Sequence, residues 1–88
     1  MNPYAVQFAD EVNDILNKLD RSVASRIVSK IGWLASNAEI VQHTALKGPW
    51  QRHYKLRIGD YRAIYIMDTD NRSILVIKVG HRSEIYED

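Results

Sequence analysis

The hydrophobic pattern of the chain changes from helical spacing in its first half to strand-like alternation in its second half. Residues 4–8 already alternate, which predicts a short first strand. Apolar residues then recur every three or four positions from about Asp10 to Lys18, and again from Asp20 to about Ser36 or Asn37. Both of these runs predict amphipathic helices.

Two aspartates stand where these helices begin. Asp10 and Asp20 are predicted to be N-caps, because a carboxylate accepts hydrogen bonds from the open N–H groups of a first helical turn. Almost no residues separate the two helices, so we expect them to form an antiparallel pair.

The second half of the chain has the pattern of three strands joined by two turns. Alternation begins at about His53, and Gly59-Asp60 supplies the positive φ that a two-residue hairpin turn requires. A second turn is predicted at 68–71, and the last strand runs from Ile74 to His81. The predicted fold is therefore α+β in the order β-α-α-β-β-β. It consists of a small antiparallel sheet with a two-helix hairpin packed on one face and the first strand at an edge.

The hairpin turn determines which residues face each other across the sheet. With Gly59 and Asp60 as the loop, Arg57 lies opposite Arg62, and opposed residues share a face. Regular alternation then assigns to one face Lys55, Arg57, Arg62, Ile64, Ile66, Ile74, Val76, Lys78 and Arg82. The face expected to lie against the helices receives Leu56, Ile58, Ala63, Tyr65, Leu75, Ile77 and Val79. Opposed like charges destabilise a sheet, and a local conflict of this kind often marks a functional surface.

Composition indicates how many domains the chain forms and which kinds of site it lacks. With 88 residues, of which 45% are hydrophobic, the chain is expected to form one domain over residues 1–88. It has no cysteine, which excludes disulfides and cysteine-based sites. No apolar run approaches the roughly 18 residues that span a bilayer, and the N-terminus lacks the features of a signal peptide. We expect a cytoplasmic protein that does not contact membranes.

The net charge of +1 conceals a basic segment. Residues 1–46 carry four Lys or Arg against five Asp or Glu, whereas residues 47–62 carry five against one. The five cations are Lys47, Arg52, Lys55, Arg57 and Arg62. Clustered positive charge attracts a polyanion, and RNA is the polyanion we expect. The alternative is an ordinary solvated surface on which Asp60, Glu84, Glu87 or Asp88 forms ion pairs with the cations.

The motifs in these strands resemble those of the RelE/ParE toxin superfamily of bacterial toxin–antitoxin systems, and of its RelE branch in particular. The resemblance covers nearly the whole chain and rests on LKG at 46–48, YKLR at 54–57, GDYRAIY at 59–65 and VGHRSEIY at 79–86. It implies a RelE-like microbial ribonuclease fold and an endonuclease that cuts messenger RNA in the ribosomal A site. It also implies attack by a ribose 2′-OH on the adjoining phosphate, with no metal and no other cofactor.

The same motifs imply a catalytic set of Lys55, Arg57, Arg62, Arg82 and Tyr86. Lys55 is the first candidate for the base, because nearby arginines disfavour its charged form, and Arg57 is the second. Arg62 is expected to stabilise the phosphate in the transition state. Arg82 is expected to assist the leaving 5′-oxygen, and Tyr86 to stack on a base.

Further basic residues are expected to contact the RNA: Lys47, Arg52, Lys78 and His81. His81 is also a candidate acid or base, because histidine titrates near neutral pH. His43 and His53 are expected to be ordinary surface or loop residues.

The resemblance leaves two other functions open. A ParE-like protein would inhibit DNA gyrase without any catalysis, and a degenerate domain would only bind RNA or its antitoxin. The family implies a cognate RelB-like antitoxin as the protein partner, in a hetero-oligomeric toxin–antitoxin complex. Messenger RNA and the ribosome are the implied targets.

Overall fold

The fold is known from a computed structural model, which describes residues 3–46 and 52–85. These residues form the strands β1 (Ala5–Phe8), β2 (Thr44–Ala45), β3 (His53–Ile58), β4 (Tyr61–Asp68) and β5 (Ser73–His81), and the helices α1 (Asp10–Lys18) and α2 (Arg21–Ser36). The strand order across the sheet is β1-β5-β4-β3-β2, with β1 parallel to β5 and the other neighbours antiparallel. The predicted α+β fold is confirmed, with β1 at an edge. The sheet has in addition the two-residue strand β2 at its other edge.

The helices follow the predicted bounds, but neither begins with the predicted side-chain capping hydrogen bond. The N-cap of α1 is Ala9, so Asp10 lies inside the first turn, where its negative charge favours the helix through the dipole. Asp20 is the N-cap of α2, but its side chain makes no capping hydrogen bond. At the other end of α2, the side-chain amide of Asn37 donates to the carbonyl of Trp33 at 2.8 Å.

The β3–β4 hairpin has the register that the sequence predicted. Gly59 and Asp60 form the turn, and Gly59 has a φ of +58°, a conformation that favours glycine. Arg57 lies directly opposite Arg62. Because opposed residues share a face, the two arginines project from the same side of the sheet.

β5 contains a bulge that its sequence does not reveal. Ile64 in β4 pairs with Lys78, whereas the next β4 residue, Tyr65, pairs with Val76. Ile77 is therefore an extra residue in β5. One extra residue reverses the side-chain alternation of every residue that precedes it in the strand.

The predicted faces of the first half of β5 are consequently wrong. Ile74 and Val76, predicted to lie beside the cations, belong to the core cluster and are at most 1% exposed. Leu75 and Ile77, predicted to lie in the core, are only half-buried and are not part of that cluster. Val79 follows the bulge and lies in the core as predicted.

The core lies between the helices and one face of the sheet. Its largest fully buried side chains come from both layers: Val12, Ile27, Ile31, Leu34, Tyr65, Ile74, Val76 and Val79. The two helices thus cover one face, as predicted, and leave the face that carries Lys55, Arg57 and Arg62 to other contacts. Neither described helix is long and apolar enough to cross a membrane.

Candidate active site

Three of the predicted catalytic side chains line one pocket on the sheet face away from the helices. Lys55, Arg57 and Arg62 surround a cavity of about 240 Å³, together with Thr44 of β2. Lys55 and Arg57 occupy alternate positions of β3, and Arg62 projects from β4 opposite Arg57. A pocket lined by three cations suits an anion. Within residues 3–46 and 52–85, no three His, Asp or Glu side chains lie close enough to hold a metal ion.

Arg62 is held in a fixed orientation at the closed end of the hairpin. It is only 8% exposed, and its Nη1 donates to the carbonyls of Gly59 and Tyr61, each at 2.9 Å. Through these two hydrogen bonds the guanidinium stabilises the turn, and the turn orients the guanidinium. A charge fixed in this way suits transition-state stabilisation, because it requires no reorganisation during the reaction.

Arg82 lies beside the same hairpin turn. Its backbone N–H donates to the Asp60 carbonyl at 2.7 Å, and its Nε is 3.9 Å from the Asp60 carboxylate. The two side chains are 62% and 70% exposed, so this ion pair is weak. Asp60 therefore tethers the backbone of Arg82, while the side chain stays easy to redirect toward a phosphate.

The segment that follows β5 folds over the cationic face. Gly80 lies opposite Arg62, and a Cβ at Gly80 would be only 3.3 Å from Cγ1 of Ile85. The N–H groups of Glu84 and Ile85 both donate to the carbonyl of His81, which turns the chain back toward the sheet. Ile85 is 4% exposed and anchors this C-terminal turn on a glycine that leaves room for it.

The other predicted RNA contacts lie outside the pocket. Lys78 is exposed and lies opposite Ile64, on the same face as the pocket. Arg52 is exposed just before β3, with a φ of +65°. Lys47 and Tyr86 lie outside the described residues.

His81 lies on the opposite face of the sheet from the pocket. It pairs with Tyr61, which in turn pairs with the core residue Ile58. The His81 and Tyr61 rings meet edge-on with their centroids 5.6 Å apart. Nδ1 of His81 is 2.9 Å from the Ser83 hydroxyl. The geometry therefore does not bring His81 together with Lys55.

The sequence predicted no helix or strand between α2 and residue 47. The structure nevertheless gives two residues of this segment defined contacts. Thr44 pairs with Lys55 across β2 and β3 and lines the pocket. His43 is not the ordinary loop residue that the sequence predicted. It is half-buried, with Nε2 2.7 Å from the Ala38 carbonyl and Nδ1 2.6 Å from the Tyr65 hydroxyl. A strand of two residues has no periodicity to detect, so the sequence carried no signal for either position.

The hydroxyl of Tyr65 that contacts His43 keeps its proton at neutral pH. Burial raises the pKa of the Tyr65 hydroxyl well above its ordinary value, and the nearby Tyr54 raises it further. Because a carbonyl only accepts hydrogen bonds, the Nε2 of His43 that faces Ala38 carries a proton. In the tautomer with its proton on Nε2, Nδ1 accepts a hydrogen bond from the Tyr65 hydroxyl. The loop before Thr44 is thereby fastened to β4.

Comparison with known proteins identifies the family of this chain. A family model described as the ParE toxin of type II toxin–antitoxin systems, parDE, matches residues 4–86. The match extends over both helices and every strand described. The chain belongs to this RelE/ParE toxin family. It is therefore a toxin of a type II toxin–antitoxin system.

This RelE/ParE toxin is similar to relatives from bacteria and archaea. It is 25% identical to toxin RelG of Mycobacterium tuberculosis over 84 residues, which is 96% of this chain and 97% of RelG. A chain of the toxin–antitoxin complex RelBE2 of the same species superimposes with a TM-score of 0.81 at 26% identity, over 92% of this chain and 100% of that chain. The archaeal RelE–RelB complex from Pyrococcus horikoshii OT3 gives a TM-score of 0.75 at 24% identity, over 96% of this chain and 100% of that chain. At that identity the archaeal likeness supports the fold alone.

Proposed function

We propose that this RelE/ParE toxin is a ribosome-dependent endoribonuclease that cleaves messenger RNA and so inhibits translation. The observation that carries the proposal is the grouping of Lys55, Arg57 and Arg62 around one pocket, on the sheet face that the helices leave uncovered. Arg57 and Arg62 repel each other across the hairpin, and a phosphate bound between them offsets that repulsion. The phosphodiester of RNA is a ligand of this kind.

The proposed reaction needs a base and a positively charged site for the phosphate. It also needs a substrate whose 2′-oxygen, phosphorus and 5′-oxygen lie in line. The ribose 2′-OH gives its proton to the base and attacks the adjoining phosphorus. The bond from phosphorus to the 5′-oxygen then breaks, which leaves a 2′,3′-cyclic phosphate and a 5′-OH. Lys55 is the first candidate for the base and Arg57 the second. Arg62 stabilises the charge of the transition state, Arg82 assists or protonates the leaving oxygen, and Tyr86 stacks on a base.

Exposed cations outside the pocket extend the RNA-binding surface in this proposal. Lys78 lies on the same face as the pocket, and Arg52 precedes β3. Lys47 completes the set on the basis of its place in the basic segment. His81 is left out, because it lies opposite Tyr61 on the helix-covered face. The site of action would be the cytoplasm, where ribosomes translate.

We further propose that a RelB-like antitoxin holds the toxin inactive in a hetero-oligomeric complex. The mycobacterial RelBE2 neighbour is such a toxin–antitoxin complex, which supports this partner. Expression of the toxin alone is expected to arrest growth, and co-expression of its antitoxin is expected to restore it. Normal growth of cells that contain soluble wild-type toxin alone would contradict toxicity.

Inhibition of DNA gyrase without catalysis is the second candidate function. It is favoured by the matching family model, whose description names the ParE toxin. The three cations of the pocket support cleavage over gyrase binding in this proposal. A protein that only binds gyrase has no need of Lys55, Arg57 and Arg62 in one pocket, whereas phosphodiester cleavage does. Cleavage is therefore our first proposal.

Primer extension on a message translated in vitro distinguishes these functions. We expect the wild type to generate new 5′ ends at A-site codons, and Lys55→Ala and Arg82→Ala each to lower the cleavage rate by about tenfold or more. Lys18→Ala removes an exposed cation from α1 and is the matched control, expected to cleave like the wild type. Undiminished cleavage in both site variants would refute the assigned site. Inhibition of supercoiling without any cleavage would favour the gyrase function.

A further inference from the structure

One residue that lines the cationic pocket, Thr44, is uncharged. Thr44 lies across from Lys55 in the β2–β3 ladder, and its exposed side chain lines the same cavity as Lys55, Arg57 and Arg62. Directly opposed residues in an antiparallel pair have Cβ atoms about 5 Å apart. The side chain of Thr44 therefore lies next to that of the candidate base.

The position of Thr44 is fixed on both sides. On one side, the ring of His43 bridges the carbonyl of Ala38 and the hydroxyl of Tyr65, at 2.7 and 2.6 Å. On the other side, a backbone hydrogen bond of 3.0 Å from residue 46 to β3 closes the ladder. A group that orients a substrate needs support of this kind, because a misplacement of a fraction of an ångström weakens its effect.

The spacing along β3 determines which part of a nucleotide Thr44 meets. Arg57 lies two residues beyond Lys55, a rise of about 7 Å along the strand, and Arg62 lies opposite Arg57. A phosphate held between the two arginines leaves the neighbouring ribose toward Lys55 and Thr44. A threonine hydroxyl donates and accepts hydrogen bonds. The ribose 2′-OH does the same, and deoxyribose lacks it.

We propose that the Thr44 hydroxyl binds the ribose 2′-OH of the nucleotide to be cleaved and makes the pocket selective for RNA over DNA. This inference rests on the function proposed for the same pocket. Thr44 donates to the 2′-oxygen, whose own proton points at Lys55. That proton moves to Lys55 as the 2′-oxygen attacks phosphorus and the bond to the 5′-oxygen breaks. Thr44 keeps its proton throughout and orients the nucleophile without acting as the base.

A purely structural role makes a different prediction, because threonine also favours strands. If Thr44 only supports β2, then Thr44→Val is harmless, since valine keeps the β-branch and has a high strand propensity. Thr44→Ser is then the more harmful change, because it keeps the hydroxyl and loses the branch. Substrate binding through the hydroxyl predicts the reverse order for the two variants.

The test measures binding of a short single-stranded RNA and of the same oligonucleotide made with deoxyribose, by fluorescence anisotropy. We expect the wild type to prefer RNA, Thr44→Val to lower that preference about three- to tenfold, and Thr44→Ser to keep it. Thr69→Val, in the exposed turn after β4, is the matched control and is expected to keep the wild-type preference. A preference that survives in Thr44→Val, or a wild type that binds both oligonucleotides equally, overturns the proposal.

Single-turnover cleavage on programmed ribosomes separates this inference from the proposed function. Suppose that the wild type cleaves, that Lys55→Ala does not, and that Thr44→Val cleaves at the wild-type rate. The role of Thr44 is then refuted and the endoribonuclease stands. If the wild type does not cleave but Thr44→Val still loses the preference for RNA, the endoribonuclease is refuted and RNA recognition by Thr44 stands.

Discussion

The hydroxyl of Tyr65 connects the loop after α2 to the centre of the sheet, and Tyr65→Phe removes that connection. The variant leaves Nδ1 of His43 without its partner at 2.6 Å, so we expect the free energy of unfolding near neutral pH to fall by about 1 kcal/mol. Burial raises the pKa of Tyr65 in the folded state above the value of about 10 that an unfolded tyrosine has. The wild type therefore loses stability as the pH rises above about 10, because the unfolded state releases this proton first. Phenylalanine has no such proton, so the difference between the two proteins should shrink above that pH. Urea denaturation at a series of pH values measures it, and a constant difference would contradict a buried neutral hydroxyl.

The pairing of single residues could be predicted from the sequence where the strand register follows from counting residues outward from a turn. The Gly59-Asp60 turn placed Arg57 opposite Arg62, because a two-residue loop leaves no freedom in the register of the strands it joins. His43 and Thr44 could not be placed in this way. Their partners lie 22 and 11 residues further along the chain, across a connection that imposes no register. The polar part of the site that comes from β2 was therefore missed, whereas its cationic part was found.

At the level of whole elements, the helices were predicted better than β5. Their regularly spaced polar residues show which side of each helix faces solvent. Polar positions interrupt the apolar residues of α1 and α2, so the bounds of both helices follow from the periodicity. β5 reads SILVIKVGH and is apolar at most positions, so an extra residue at Ile77 changes the faces without changing the pattern. Only its pairing with β4 reveals the bulge.

Two glycines in regular elements should respond differently to substitution by alanine. At Gly32 in α2, nothing lies within 4 Å of the position of a Cβ, so Gly32→Ala should raise the free energy of unfolding by about 0.5–1 kcal/mol. At Gly80 in β5, the Cβ would be 3.3 Å from Cγ1 of Ile85. Gly80→Ala should push the C-terminal turn that carries Arg82 away from the cationic face. We expect it to give no gain in stability and to lower the cleavage rate. Urea denaturation and primer extension on both variants test this, and a fully active Gly80→Ala would contradict a positioning role for the contact.

In the molecule as a whole, the two faces of the sheet have different roles. One face packs on the helices and supplies the core, so the other face is left for charge and for the C-terminal turn. The sequence predicted this division, because the alternation in β3 and β4 separates apolar from cationic residues. It did not predict the shape of the pocket, because β2 reaches it from outside the hairpin.

Stability and function should oppose each other at Arg57, because Arg62 repels its charge in the free toxin while RNA attracts it. Replacing the exposed Arg57 with threonine, an uncharged strand former, should leave the free energy of unfolding unchanged or raise it by about 0.2–1 kcal/mol. The same variant should bind single-stranded RNA more weakly. Its plot of log affinity against log salt concentration should be shallower by about 0.7, the value for one lost phosphate contact. Lys18→Ala removes the same charge from α1, and its slope should match that of the wild type. An Arg57→Thr variant that loses stability and keeps the wild-type slope would show that Arg57 serves the fold and does not bind RNA.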